Sequence, residues 1–484
     1  MSELEIPESW AEQSLGELCE GFQYGINASA QQEGSYHLLR ITDLKESDIN
    51  WHVVPKVNIE EGEADKYLLG DGDIVIARSG SIGKSAIIKN APENAVFASY
   101  LIRVKIKEFV KSWPIFKFYF NAPIFQDHLR KNAKGATQQN INTEVLKRSP
   151  LVVLPVSEQR RIVAKIESTF KRIEAIEKAV ETAESLLTKY RESLLNKAFR
   201  GKLVPQDPDD EPASKLLERI RAERAKQQDG RKKKRDELPT ITEEEIPFEI
   251  PKSWEWVRLG SVSTVFNGAT PSRQKKEYWG GTINWVSSGE VKNNLITETR
   301  EQITEIGFQN AAVRLCPPGT VLVAMIGQGK TRGKTSILGI EATTNQNIAC
   351  IEISHGLLDS RYVWEWFQYQ YEHNRTLGFG TEQKALNCRI VSEMLIALPP
   401  LAEQKLIVAV LASTASKTKP VFGQFTKIRG TISKLRHGVL RTAFSGRLVP
   451  QDPSEGTGHE LLEQILAAKS NSDASQPVKS PPKR

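Results

Sequence analysis

Lys197-Ala-Phe-Arg-Gly-Lys-Leu-Val-Pro-Gln-Asp-Pro208 returns near the other end of the chain as Thr442-Ala-Phe-Ser-Gly-Arg-Leu-Val-Pro-Gln-Asp-Pro453. Phe199 and Phe444 stand 245 positions apart. The same offset carries Glu158-Gln159 onto Glu403-Gln404 and Leu216-Leu217 onto Leu461-Leu462. An opening phrase repeats too, one residue out of step: Ile6-Pro-Glu-Ser-Trp10 against Ile250-Pro-Lys-Ser-Trp254. Solenoid repeats run to only ~20–45 residues. A period this long means two copies of a two-part unit.

The first part of each copy is mixed in character. Short β-branched and aromatic runs predict strands at 36–41, 73–77 and 100–106, with counterparts at 282–287, 320–324 and 347–353. Helical stretches follow at 115–129 and 360–374. This is an α+β globular head with polar, Gly-rich loops.

The second part is helical. Ile173, Ile176, Val180, Ala183, Leu187, Tyr190 and Leu194 alternate steps of three and four, a heptad seam. Shifted by the repeat, the second copy gives Thr418, Val421, Phe425, Ile428, Ile432, Leu435 and Val439. One such seam alone reads as ordinary core; two in the same register are most cheaply buried against each other. The fold expected is therefore an α+β tandem repeat whose long helices pair as an antiparallel coiled coil with pseudo-two-fold symmetry. From Ser157 to Phe199 such a helix makes a rod of roughly 65 Å. Pro155 and Ser157 suit its start, and Glu158 in the first turn favours the dipole. Gly201 and Gly446 suit left-handed caps, with Pro205 and Pro450 just beyond. Pro420 lies inside the second seam, where it should kink the helix or delay its start by about a turn.

Composition narrows the function. Lys+Arg number 66 against Asp+Glu 59, a net +7 that suggests a polyanionic partner without demanding one. With 39% apolar and 7% aromatic residues the chain can build packed cores. No apolar run reaches the ~18 residues of a membrane span, and MSELEIPESW lacks a secretory pattern, so the expected location is cytoplasmic. Cys19, Cys316, Cys350 and Cys388 are isolated and the seven histidines form no zinc-ligand spacing, so neither a disulfide framework nor a metal site is expected. Asp229-Gly-Arg-Lys-Lys-Lys-Arg235 followed by Glu243-Glu-Glu245 reads as a solvated hinge, and 471–484 as a disordered tail.

Ala324-Met-Ile-Gly-Gln-Gly-Lys-Thr331 imitates a phosphate-binding loop, but Ala324 replaces its first glycine. The aromatics Tyr362, Trp364, Trp366, Phe367, Tyr369 and Tyr371 fall at helical spacing, which favours core over a base-stacking platform. There is no Asp/Asn-Pro-Pro-aromatic loop of an adenine methyltransferase, no defensible nuclease cluster and no helicase motif. The chain is expected to carry no catalytic residues, to be no enzyme by itself and to bind no cofactor. The rival readings are a non-catalytic coiled-coil adaptor that does not bind DNA, and a single-chain methyltransferase or nuclease.

Four motifs, taken together and in order, resemble the specificity subunit of type I restriction–modification enzymes. They are the Ile-Pro-x-Ser-Trp openings; Asn267-Gly-Ala-Thr-Pro-Ser-Arg273 leading to Tyr278-Trp-Gly-Gly-Thr-Ile-Asn-Trp285, which Gly25-Ile-Asn-Ala-Ser-Ala30 matches only in position; the Leu-Pro…Glu-Gln elements from Leu154 and Leu398; and the Ala-Phe-x-Gly-x-Leu closures. The resemblance spans Ile6 to about Lys469. It implies a first target recognition domain (1–155), a central helical spacer and linker (156–245), a second recognition domain (246–399) and a distal spacer (400–470). Each recognition domain would bind one half of a split, asymmetric double-stranded DNA target, and the helices would set the gap. Two modification subunits would dock on the helices, bringing S-adenosylmethionine and adenine-N6 methylation. Two restriction subunits, where present, would bring ATP, Mg and cleavage.

Groove edges are read by Arg or Lys on guanine, Asn or Gln on adenine, and Ser or Thr on either. The DNA-contact candidates in the first head are therefore Arg78, Ser79, Ser81, Lys84, Lys134, Thr137, Gln138, Gln139 and Asn140. In the second they are Thr270, Ser272, Arg273, Ser287, Ser288, Lys330, Arg332, Lys334, Thr381, Gln383, Lys384 and Asn387. The helix-pairing candidates are Ile173, Ile176, Val180, Leu187, Leu194, Val421, Phe425, Ile428, Ile432, Leu435 and Val439.

Overall fold

The structure, a computed structural model, describes residues 6–44, 49–107, 113–135, 139–228, 238–327, 331–353, 356–377 and 385–474, with backbone only from 468. The basic run 231–235 and the tail beyond 474 lie outside the described residues. The chain divides into two compact units, one of residues 1–180 and 426–484, the other of 181–425.

In the first unit the head holds a four-stranded antiparallel sheet ordered Cys19–Tyr24, Leu101–Ile106, Ile74–Ala77, Ser85–Ile87. The Ile-Val-Ile-Ala run of its central strand has a two-sided reason. Ile74 and Ile76 enter one core cluster with Ile102 and Val104, while Val75 and Ala77 enter another with Leu39 and Phe97. Alternate side chains point to opposite faces, so a strand covered on both reads as continuously apolar. A three-stranded sheet, Lys56–Val57, Tyr36–Leu39 and Ala95–Phe97, stands beside it. Ala11–Ser14 pairs with Pro150–Val153, closing the head's beginning onto its end.

The second unit repeats this plan. Its larger sheet runs Ser263–Asn267, Ile348–Ile353, Val321–Ala324, Thr335–Leu338, Leu295–Ile296. Glu301–Ile303, Trp279–Val286 and Thr343–Thr344 form the smaller one, and Glu255–Arg258 closes on Leu395–Leu398. Both expected helical stretches occur, each broken once. Phe116–Tyr119 is followed by Pro123–Asn132, with proline at the first turn where no N–H is needed. Ser360–Tyr369 gives way to Tyr371–Thr376 at Gln370.

The long helices, Val156–Phe199 and Leu401–Phe444, each run 44 residues. The delayed start expected from Pro420 does not occur: the helix continues through it. The cost of proline inside a helix is local, ~3 kcal/mol. Both ends of this helix are anchored, and the hydroxyls of Thr414, Ser416 and Thr418 bond to carbonyls in the turns before it. Both helices end as foreseen. Gly201 and Gly446 take φ +65° and +70°, and Lys202 and Arg447 donate N–H to the carbonyls of Lys197 and Thr442.

Each compact unit contains half of each long helix, so the folded unit is not the repeated unit. In the first, Arg161 bonds to Glu455 and the Pro450 carbonyl, while further along Glu177 pairs with Arg436 at 2.8 Å. Rising numbers on one helix meet falling numbers on the other, the antiparallel sense. The seam is narrower than the full heptad set. Ile173, Val180, Phe425, Ile432 and Val439 are buried, and Leu187, Leu194 and Ile428 half-buried. Ile176, Val421 and Leu435 correct the pairing set: they stand 48%, 38% and 47% exposed. Burial is deepest along one heptad line, and the alternate line is the more exposed, with Ile428 half-buried on it.

The closures complete the opposite head. Phe444, at the end of the second helix, lies fully buried against Tyr119 of the first head, centroids 6.1 Å apart. Phe199, at the end of the first helix, sits among Tyr362, Trp366 and Tyr369 of the second head at 5.1–5.3 Å. Glu158, expected as a dipole partner, does more. Its carboxylate accepts from Trp10 Nε1 (2.9 Å) and from Gln451 Nε2 (2.6 Å). Glu403 likewise accepts from Trp254 Nε1 (2.7 Å) and from Gln206 Nε2. Each carboxylate thus ties the opening of its own head to the closure of the other copy. Part of the expected hinge is also fixed: Arg258 bonds to Glu245 at 2.8 Å and to the carbonyls of Pro239 and Thr240.

Candidate nucleic-acid interface

In the first head the candidates fall on two loops that the fold brings together. The turn after Ile74–Ala77 carries Arg78, Ser79, Ser81 and Lys84, and Lys134 and Asn140 meet it through bridge pairs of Ser79 with Asn140 and Lys134 with Asn140. Arg78 Nε donates to Asn140 Oδ1 (3.1 Å), and its guanidinium lies 4.7 Å from the Tyr24 ring centroid. Its backbone is clamped between the Tyr100 carbonyl and the Ile141 N–H, each at 2.9 Å. Ser79 is buried; Ser81, Lys84, Lys134 and Gln139 are exposed. Lys84 Nζ reaches the Ile41 carbonyl at 3.4 Å. Thr137 and Gln138 lie outside the described residues.

In the second head Arg273 is held in place, paired with Glu301 and stacked 3.7 Å over Trp279. That ion pair keeps Glu301 below the usual carboxylate range. Thr270 donates to Gln346, and the Ser272 carbonyl accepts from Trp279 Nε1 (3.2 Å). Ser287 is engaged within the fold. With Glu290 it forms a capping box, its N–H and hydroxyl bonding to that carboxylate at 2.9 and 2.8 Å. Ser288, half-buried, begins the turn that Ser287 caps. Asn387 is the N-cap of Cys388–Glu393 (2.8 Å), as Asn142 is of Thr143–Lys147 in the first head. Arg332 donates to the Arg375 carbonyl at 2.7 Å, and Lys334 is half-buried. Lys330, Thr381, Gln383 and Lys384 lie outside the described residues.

The stretch resembling a phosphate loop connects two antiparallel strands, Val321–Ala324 and Thr335–Leu338, whereas a P-loop opens a helix. Tyr362, Trp366 and Phe367 are buried, as the core reading of that aromatic run required. Sequence reasoning missed Tyr24 and Tyr100, 37% and 59% exposed beside Arg78. Setting Gly25 against Gly268 would have flagged Tyr24, which stands where Asn267 does. No helix among the described residues is long and apolar enough to cross a membrane, and none of them form a His/Cys/Asp/Glu group fit for a metal.

Two heads with one backbone plan, unlike loop tips and shared helices define a duplicated scaffold. A family model described as the type I restriction modification DNA specificity domain matches residues 7–184 and 251–419, most of the chain. The chain belongs to that family. It is 35% identical over 333 residues to the type I restriction enzyme EcoAI specificity subunit of Escherichia coli, covering 58% of this chain and 56% of that one. Against the EcoEI specificity subunit of Escherichia coli it is 26% identical, covering 58% and 55%. The chain thus spans little more than half the length of these curated relatives. A solved chain titled for complex assembly and conformational transition of the type I R-M system shares the fold, with TM-score 0.63 and 17% identity, covering 91% of this chain and 99% of that one.

Proposed function

We propose that the chain is the DNA sequence-recognition subunit of a type I restriction–modification complex. Each head binds one half of a bipartite, asymmetric target, and the paired helices set the gap between halves. The observation that carries this is the contrast within one chain: the interlocks at Glu158 and Glu403 are duplicated atom for atom, while the loops above them differ. A framework kept alike with tips made unlike suits two half-sites of different sequence. The chain supplies position and discrimination rather than chemistry. Modification subunits, bringing S-adenosylmethionine and adenine-N6 transfer, dock on the helices; restriction subunits, where present, bring ATP, Mg and cleavage. The complex works in the cytoplasm.

Support for docking comes from apolar side chains that the helices leave in solvent: Ile176 and Leu435 in the first unit, and Leu186 and Tyr190 in the second, 47–61% exposed. A run of such residues along a helix marks an interaction face. Methylome sequencing of a host that co-expresses this chain with its modification subunit tests the function. The expected result is one split, asymmetric motif methylated only when both are present; methylation with no defined motif, or by this chain alone, would refute it.

A further inference from the structure

Equivalent backbone hydrogen bonds align the residues that flank the Arg78 turn in the two heads. Arg78 N–H donates to the Tyr100 carbonyl and its carbonyl accepts from Ile141; Met325 N–H donates to the Asn347 carbonyl and its carbonyl accepts from Leu386, all at 2.9 Å. Gly83 and Gly333 donate to the carbonyls of Ala77 and Ala324, and the carbonyls of Lys84 and Lys334 accept from those same two residues. Gly25 and Gly268 both press against backbone carbonyls, of Phe97 and Thr344. The turn is three residues longer in the second head (325–333 against 78–83), but the bonded positions on either side of it match, and at those positions the side chains can be compared.

The lysine persists, as Lys84 and Lys334. The rest changes: Tyr24, Arg78, Tyr100 and Asn140 in the first head correspond to Asn267, Met325, Asn347 and Ala385 in the second. Met325 is 6% exposed, folded into the core, so the position equivalent to Arg78 in the second head carries no cation. In the first head the guanidinium is fixed from two sides, by Asn140 at Nε and by the Tyr24 face, and no carboxylate among the described residues pairs with it. Occupying Nε leaves the two terminal NH2 groups as a planar pair of donors. That edge matches O6 and N7 of guanine in the major groove.

We propose that Arg78 reads a guanine in the half-site of the first head, with Tyr24 and Asn140 as positioning residues, and that Met325 deprives the second head of the same reader. The inference rests on the DNA-recognition function proposed above. Lys84 and Lys334, common to both, serve phosphates and carry no sequence information.

The test uses the assembled complex with its modification subunit and a panel of duplexes, each carrying one altered base pair of the motif. Wild-type complex is expected to lose roughly 10- to 100-fold in affinity when one guanine of one half-site is replaced. In Arg78→Met that penalty should vanish at the same base pair, with every penalty in the other half-site intact. Asn140→Ala should shrink it partway. Lys84→Ala should weaken all duplexes alike. Undiminished discrimination at every base in Arg78→Met, or a uniform loss over the whole panel, would overturn the assignment. A wild-type complex indifferent to the panel would instead overturn the recognition function itself, so the two failures are told apart.

Discussion

Glu158 and Glu403 are 2% and 3% exposed, and burial raises both carboxyls above their ordinary 4.5, against the pull of their Trp and Gln donors. The sign follows. The folded chain holds these protons more tightly than the unfolded one, so their contribution to stability is greatest below the ordinary value. It declines as pH rises through the raised one. Glu158→Gln and Glu403→Gln should therefore flatten the fall in stability above pH 4.5, measured as the difference between wild-type and variant denaturation curves. Glu158→Ala leaves the buried Trp10 N–H without a partner and should cost ~1–3 kcal/mol in chemical denaturation. Gly446→Ala combines a φ of +70° with a Cβ that overlaps the Pro7 ring, and should destabilise the first unit beyond the ~1–2 kcal/mol of the left-handed conformation alone.

At the scale of elements, the two heptad lines of the helices should separate experimentally. Ile173→Ala and Ile432→Ala remove buried side chains and should cost ~2–5 kcal/mol each. Ile176→Ser and Leu435→Ser, on the exposed line, should change stability by ~0.5 kcal/mol or less yet weaken co-purification with the modification subunit. Equal stability losses for both pairs would contradict the exposed line. Much of this level was legible in the sequence. Heptad spacing, cap glycines and continuous apolar runs are local signals, and both long helices and all six expected strands occur where periodicity put them. What was not legible was long-range. Nothing near Phe199 says that it completes the head after it rather than the one before it, and nothing near Ser287 or Asn387 separates a capping side chain from a base contact. Both decisions depend on which groups the fold brings near.

For the whole molecule, the closures explain how a tandem duplication yields two similar units. Each head is finished by the helix that ends beside it, whichever copy that helix came from. Both long helices pass from one unit to the other near their middles, after Val180 and after Phe425. Seven residues inserted at both points preserve the heptad register and add about 10 Å, or roughly three base pairs of duplex. The methylated motif should keep both half-sites and gain that much spacing; an unchanged gap would refute the helices as its measure. The head exchange addresses the central claim most directly. Residues 246–399 are replaced by the second head of another family member, and the methylome of a host carrying the chimera with the modification subunit is sequenced. The expected motif has one new half-site, one unaltered half-site and the original gap. A motif changed in both halves, or in neither, would contradict the account.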